Sequence, residues 1–262
     1  MRTVFVWLLL ITMAANIVAP PNRQGKDFAL FFTVNNYDYW SPLGQPVQEA
    51  QQIAQILRDD YGFVTEVVPD ATKEKILAKL EEYASKAALK APDAQLLIYF
   101  SGHGYMRKGT LQRGYFVPKE GKKDDVTGSS YIAYSELRDL INAIPCLHVL
   151  VMLDACHSGT FGQVRTHKSD GFFDRPGEGA YLQEQAVQKI IRTALSSKSR
   201  LYMTSGGENT TPSPSAFAQQ FKLALLRAPD FVGKLAEVFV FRRVVVSLFH
   251  NTGAGSVAIF PV

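Results

Sequence analysis

Short runs of consecutive apolar residues alternate along the chain with segments in which apolar residues recur every three or four positions. Residues 63–68 and 200–204 are two further strand candidates, and the apolar runs lie at residues 28–34, 94–100 and 149–153. Their length is typical of strands buried on both faces of a sheet. The segments with helical spacing lie at residues 47–57, 72–87, 136–143 and 217–226. Thr72 and Ser135 are predicted to cap the second and third of these helices.

Strands that alternate with helices predict βαβ units, right-handed crossovers and a mostly parallel sheet. The pattern also predicts a helix over residues 235–249 and a closing strand over 256–260. We therefore expect an α/β fold with a mostly parallel six-stranded sheet flanked by helices. The glycine-rich stretch 157–182 is predicted to be a loop.

The first residues of the chain are more apolar than the rest. Met1 and Arg2 precede an uninterrupted uncharged run over residues 4–15, which has the length of a signal-peptide core and is shorter than a bilayer-spanning helix. The small residues expected at a cleavage site are poorly placed. We predict a signal peptide or membrane anchor plus linker over residues 1–25, hence a protein exported to the periplasm or outside, or anchored in a membrane. A buried strand or helix of the fold is the alternative.

The composition limits the classes of protein to which the rest of the chain can belong. The 262 residues are 47% hydrophobic and carry a net charge of +4, which favours one folded domain over residues 26–262 and argues against intrinsic disorder. So mild a basic excess does not predict nucleic-acid binding. The two cysteines, Cys146 and Cys156, exclude a disulfide scaffold, and Cys146 is predicted to be a buried free thiol.

Two polar segments follow neighbouring strands of the predicted sheet. His103 lies after the third strand and Cys156 after the fourth, and the carboxyl ends of parallel strands meet at one edge of a sheet. A thiol needs a base to become a nucleophile, so we predict that His103 activates Cys156. Glycines 102, 104 and 159 are expected to leave backbone N–H groups free for an oxyanion hole. Two alternatives are less favoured. One has His157 as the base, and the other is a zinc site formed by His103, Cys156 and His157.

The sequence resembles the caspase-like cysteine peptidases, and in particular metacaspases and their bacterial relatives. The resemblance is carried by LLIYFSGHG (96–104) and VLVMLDACHSG (149–159), supported by VNNYDYW (34–40) and YIAYSELRDLI (131–141). It implies a three-layer α/β sandwich and a cysteine endopeptidase. By motif, His103 resembles the catalytic base and Cys156 the nucleophile, while the backbone N–H groups of Gly104 and Cys156 resemble the oxyanion hole.

The resemblance also implies a preference for substrates. Asp154 stands two residues before the cysteine, as in metacaspases, which cleave after Arg or Lys. A carboxylate in the substrate pocket attracts a cationic side chain and repels an anionic one. Ser101 and Glu49 correspond to further pocket positions. We expect peptide or protein substrates with a basic residue before the cleaved bond, and hypothesise self-cleavage in the 157–182 loop at Arg165, Lys168 or Arg175.

In two places the sequence departs from the metacaspase pattern. Tyr134 and Ser135 stand where many metacaspases carry adjacent calcium-binding acids, and Pro46 stands where they often have a pocket cysteine. No other segment has the spacing of a calcium loop, although Asp124, Asp125, Asp170 and Asp174 offer oxygens, so no cofactor is expected. The alternatives for function are a catalytically silent adaptor or binding protein, and a cysteine hydrolase that acts on other amides.

Overall fold

A computed structural model of the protein describes residues 25–107, 112–155, 198–205 and 214–227. Strands and helices alternate there as the sequence predicts. In chain order the elements are β1 (Asp27–Thr33), α1 (Pro46–Asp59), β2 (Val64–Pro69), α2 (Lys73–Ser85), β3 (Gln95–Ser101), β4 (Gly104–Arg107), β5 (Arg113–Phe116), β6 (Ile132–Ala133), α3 (Tyr134–Ala143), β7 (His148–Asp154), β8 (Ser199–Thr204) and α4 (Ala216–Arg227).

The central sheet is parallel throughout, in the order β2-β1-β3-β7-β8. Within the described ranges it has five strands instead of the expected six. The strand predicted over 256–260, the helix over 235–249, the loop over 157–182 and the first 24 residues lie outside the described part of the chain. In that part, no helix combines the length and apolar character needed to span a bilayer.

Helices cover both faces of this sheet, which is why its three inner strands β1, β3 and β7 are apolar without alternation. Leu30 and Phe32 of β1 belong to a core shared with α2 and α3, while Ala29 and Phe31 belong to a second core shared with α1 and α4. All four side chains are fully buried. Complete burial of a Leu or Phe side chain stabilises a fold by roughly 1.5–3 kcal/mol. The result is the three-layer α/β sandwich that the resemblance implied.

A second, antiparallel sheet in the order β4-β5-β6 was not predicted from the sequence. Its strands are only four, four and two residues long, too short to show a clear period. Phe116 of β5 is fully buried in the core that contains α2 and α3. The small sheet therefore lies on that face of the central sheet, directly after β3.

The two predicted helix caps differ in outcome. The Thr72 side chain accepts a hydrogen bond from the Lys75 N–H at 3.2 Å and caps α2, as predicted. The prediction for Ser135 is wrong, because α3 already begins at Tyr134. Strand β6 runs directly into α3, so Ala133 occupies the cap position and Ser135 lies in the first turn of the helix.

A basic residue of β8, Arg200, binds backbone carbonyls in the segment that follows α3. The Arg200 side chain is fully buried and donates to the carbonyls of Ile144 at 2.8 Å and Leu147 at 3.2 Å.

Nearby, Cys146 is a buried free thiol, as predicted. Its Sγ lies 3.2 Å from the Ala94 carbonyl oxygen. Burial raises the pKa of this thiol, which makes Cys146 unsuitable as a nucleophile.

Candidate active site

The candidate site lies at the carboxyl edge of the central sheet. Strands β3 and β7 are paired in parallel with Ser101 opposite Asp154. His103 follows β3 by two residues, while β7 ends at Asp154 and Ala155 is the next residue. Cys156, the predicted nucleophile, is the next residue and lies outside the described ranges, as do His157 and Gly159. The sheet therefore brings His103 to the same edge as the residues that precede Cys156.

The hydrogen bond of the His103 ring determines which nitrogen carries the proton in the neutral imidazole. Nε2 lies 2.8 Å from the backbone carbonyl oxygen of Ser41. A carbonyl oxygen can only accept a hydrogen bond, so Nε2 is the protonated nitrogen. The lone pair is then on Nδ1, and Nδ1 is the atom that can take a proton from a thiol.

Aromatic side chains from the loop after β1 hold His103. The Tyr37 hydroxyl accepts a hydrogen bond from the His103 backbone N–H at 2.6 Å, and the two rings lie 4.7 Å apart between centroids. The Trp40 ring is 5.3 Å away. Partial burial lowers the pKa of His103; the Ser41 carbonyl opposes the shift and the positive charge of Lys123 adds to it. The imidazole is therefore neutral, and basic, near neutral pH.

Gly102 lies between β3 and His103, in a position where a side chain does not fit. A Cβ atom on Gly102 would lie 2.5 Å from the Tyr37 hydroxyl and 3.3 Å from the Phe116 ring. Its N–H donates to the carbonyl of Asp154 at 3.2 Å. The prediction that this N–H is free for an oxyanion hole is therefore wrong: Gly102 ties β3 to β7 and allows Tyr37 to approach.

The N–H of Gly104 has a different orientation. Gly104 lies opposite Phe116 in the antiparallel ladder, and the Val117 N–H donates to the His103 carbonyl at 3.0 Å. This pattern makes Gly104 and Phe116 a non-hydrogen-bonded pair. The Gly104 N–H consequently points away from β5. Its role in an oxyanion hole, together with the N–H of Cys156, stays a prediction.

Asp154 is a buried carboxylate with incomplete pairing. It is 3% exposed, and its Oδ2 accepts a hydrogen bond from the Tyr99 hydroxyl at 3.0 Å. Its Oδ1 has no hydrogen-bond partner among the residues that the structure describes. Burial raises the pKa of Asp154, although the hydroxyls of Ser215, Ser205 and Tyr99 act in the opposite direction. A buried carboxylate oxygen without a partner is costly and is suited to receive a cation.

Glu49 adds a second acidic group beside Asp154. It lies on α1 at 9% exposure, and its Oε1 accepts a hydrogen bond from the Ser215 N–H at 2.9 Å. Burial raises the pKa of Glu49; the Ser215 N–H opposes this shift and the negative charge of Asp154 adds to it. The positive charge of Lys222 lowers the pKa of Glu49, but the Lys222 Nζ donates its hydrogen bond to Oε1 of Gln52 at 2.9 Å. No ion pair to Glu49 or Asp154 occurs within the described ranges.

The predicted pocket residues Asp154, Ser101 and Glu49 therefore come together, and the structure adds residues that sequence reasoning missed. Tyr99 lies two positions before Ser101 on the same face of β3, and its hydroxyl also interacts with Ser101. The period of two along β3 was a usable signal for Tyr99. Ser215 contacts both acids but lies far away in sequence, and no local pattern marked it.

Metal-binding groups are sparse in the part of the chain that the structure covers. It holds no cluster of three or more His, Cys, Asp or Glu side chains suited to a metal ion. The Asp125 carboxylate accepts hydrogen bonds from the N–H groups of Thr127, Gly128 and Ser130. These bonds lower its pKa and occupy its oxygens within its own loop. Asp170 and Asp174 lie outside the described ranges.

The described part of the chain is an α/β sandwich with a histidine at the carboxyl edge of a parallel sheet, and in the sequence a cysteine stands two residues after the neighbouring strand. A family model of the caspase domain matches residues 26–239. The chain therefore belongs to the caspase domain family and is a caspase-like cysteine endopeptidase.

Among solved structures, pro-sf-caspase-1 is similar over 79% of this chain and 72% of its own, with 14% sequence identity and a TM-score of 0.47. No curated protein sequence matches the chain.

Proposed function

We propose that this cysteine endopeptidase cleaves peptide bonds that follow Arg or Lys, with His103 and Cys156 as its catalytic pair. The observation that supports this specificity is that two buried acids, Asp154 and Glu49, lie close to each other. Neither acid has an ion-pair partner in the described ranges. A guanidinium or ammonium group entering beside them offers donors to Oδ1 of Asp154, the oxygen that has no hydrogen-bond partner in the described ranges. An Asp side chain would bring a third negative charge to the same place and is rejected.

The chemistry follows from the tautomer of His103. Nδ1 takes the proton from the Cys156 thiol, and the thiolate forms a bond to the carbonyl carbon of the substrate. The oxyanion that develops accepts hydrogen bonds from the Gly104 and Cys156 N–H groups. The C–N bond then breaks while His103 returns its proton to the leaving amine. Water, deprotonated by His103, finally hydrolyses the thioester and releases the thiol.

Fluorogenic peptides that differ only in the residue before the cleaved bond test the specificity. We expect turnover of the Arg and Lys peptides, little turnover of the Asp peptide, and none of any peptide by a Cys156→Ala control. Assays with calcium and with a chelator should give equal rates, since we propose that no metal takes part. A preference for Asp would refute the pocket assignment, and activity that survives Cys156→Ala would refute the nucleophile. A protein that binds such peptides without cleaving them would instead be the adaptor.

We further propose that the enzyme processes itself in the 157–182 loop. Arg165, Lys168 and Arg175 supply suitable residues there. Purified wild-type protein should separate into two fragments on a denaturing gel, and the Cys156→Ala variant should stay intact. N-terminal sequencing of the smaller fragment identifies the cleaved bond. A wild-type chain that stays as a single band would argue against self-processing.

The apolar N-terminal run supports a further proposal, that residues 1–25 direct the protein out of the cytosol or anchor it in a membrane. Cell fractionation of the full chain and of a chain that begins at Lys26 tests this. Equal recovery of both forms in the cytosolic fraction would refute it without affecting the catalytic assignment.

A further inference from the structure

The catalytic histidine marks where the leaving half of a substrate must lie. His103 has to donate a proton to the leaving amine, so the first residue after the cleaved bond lies against the imidazole. The side chain before the bond points to Asp154, on the face of the sheet that α1 and α4 cover. The residue before the cleaved bond therefore lies at the acidic pocket. The residue after it lies on the surface that adjoins His103 on the side away from Asp154.

That adjoining surface is aromatic, and we refer to Trp40, Tyr105 and Tyr131 as the aromatic wall. The Trp40 ring lies 5.3 Å from the His103 ring, 6.2 Å from Tyr105 and 6.1 Å from Tyr131. Tyr105 and Tyr131 are 5.2 Å apart. Trp40 and Tyr105 are partly exposed, whereas Tyr131 is 1% exposed. A buried ring thus supports two accessible ones beside the histidine.

The small antiparallel sheet holds this wall rigidly. Tyr131 precedes β6 and contacts Tyr115 of β5 at 5.8 Å, and Tyr115 contacts Tyr105 of β4 at 6.3 Å. The Tyr131 hydroxyl also donates to the Lys122 carbonyl. Rings fixed in this way lose little conformational entropy when a ligand packs on them.

We propose that the aromatic wall binds the side chain of the residue directly after the cleaved bond and selects a large apolar or aromatic side chain there. The proposal rests on the proposed function, because the roles of His103 and Asp154 give the direction of the substrate. Ring contacts and apolar burial favour Phe or Leu over Gly at this position. Trp40 is the specificity-determining residue, since it alone of the three contacts the His103 ring among the described contacts.

Internally quenched peptides of one sequence, varied only after a common Arg, test this proposal on the full chain. We expect kcat/KM to be about tenfold higher with Phe or Leu than with Gly. Trp40→Ala should bring the ratio of Phe to Gly close to one. A ratio is used because loss of the Trp40 ring also disturbs His103 and slows every substrate. Tyr39→Ala is the matched control: Tyr39 is adjacent and 56% exposed, and its removal should leave the ratio unchanged.

A second peptide set, with Ala in place of Arg, separates this proposal from the one on which it rests. A Phe-to-Gly preference that persists in both sets, without any preference for Arg over Ala, supports the aromatic wall and refutes the acidic pocket. Preference for Arg with equal rates for Phe and Gly refutes the wall alone. A wild-type preference that Trp40→Ala does not change also refutes it. Absence of Cys156-dependent cleavage of every peptide overturns both proposals.

Discussion

Substitution of Asp154 by Asn should make the protein more stable and its cleavage after Arg slower. The carboxylate is 3% exposed and one of its oxygens has no described partner. Burial of a charged group without full pairing costs more than burial of a neutral amide of the same shape. Asn retains an acceptor for the Tyr99 hydroxyl. We expect a gain of about 1–3 kcal/mol in the free energy of unfolding, or roughly 2–12 °C in Tm at about 2–4 °C per kcal/mol.

The same substitution removes the charge that attracts a basic substrate. A hydrogen bond between charged groups contributes about 1.5–3 kcal/mol, so kcat/KM for an Arg peptide should fall roughly 10- to 150-fold. The fall for a peptide with Ala before the bond should be much smaller. The distinctive result is a variant that is more stable than the wild type but cleaves Arg peptides more slowly.

The dependence of this stabilisation on pH follows from the pKa of Asp154. Burial raises this pKa above its ordinary value of 3.8. A raised pKa means that the contribution of the group to stability is greatest below pH 3.8 and is lost as the pH rises through the folded-state pKa. The Asn variant should therefore exceed the wild type in Tm at pH 7, and the difference should shrink in acid.

Thermal unfolding followed by circular dichroism, together with peptide kinetics, measures both effects. Asp59→Asn is the matched control, because the Asp59 side chain is 50% exposed and its change should alter stability by less than about 0.5 kcal/mol. A less stable Asp154→Asn variant at pH 7 that keeps its preference for Arg would refute the reasoning on both counts.

Three further predictions concern the surroundings of the site. Gly102→Ala should cost about 1–3 kcal/mol of unfolding free energy in urea titrations. The double variant with Tyr37→Phe should lose less than the sum of the two single losses, because the hydroxyl that meets the new Cβ is absent; strictly additive losses would contradict this contact. Because burial lowers the pKa of His103, the acid limb of kcat/KM should lie below pH 6.5, and Lys123→Gln should move it upward at low salt but not at high salt. Arg200→Met should lower stability by about 1–3 kcal/mol, since the Ile144 carbonyl loses its donor while the Leu147 carbonyl keeps the Ser199 N–H; a Tm equal to that of the wild type would contradict this role for the guanidinium.

The sequence was sufficient to predict the central architecture and the edge that carries the site. A strand covered on both faces must be apolar throughout, and a helix that packs on a sheet must repeat every three to four residues. These constraints are local, so the strands and helices of the central layer were identified within a few residues. Parallel pairing then placed His103 and Asp154 at one edge, because Asp154 is the last residue of β7 and His103 follows the carboxyl end of β3.

Other features depended on contacts between residues far apart in the chain, and no local pattern encodes them. The β4-β5-β6 sheet is too short to have a readable period, and the Gly102 N–H is engaged because β3 and β7 pair in one particular register. The tautomer of His103 depends on a carbonyl 62 positions away, at Ser41. Hydrophobic periodicity reports which faces are buried, whereas only the path of the folded backbone decides which polar groups meet at the edge of the sheet.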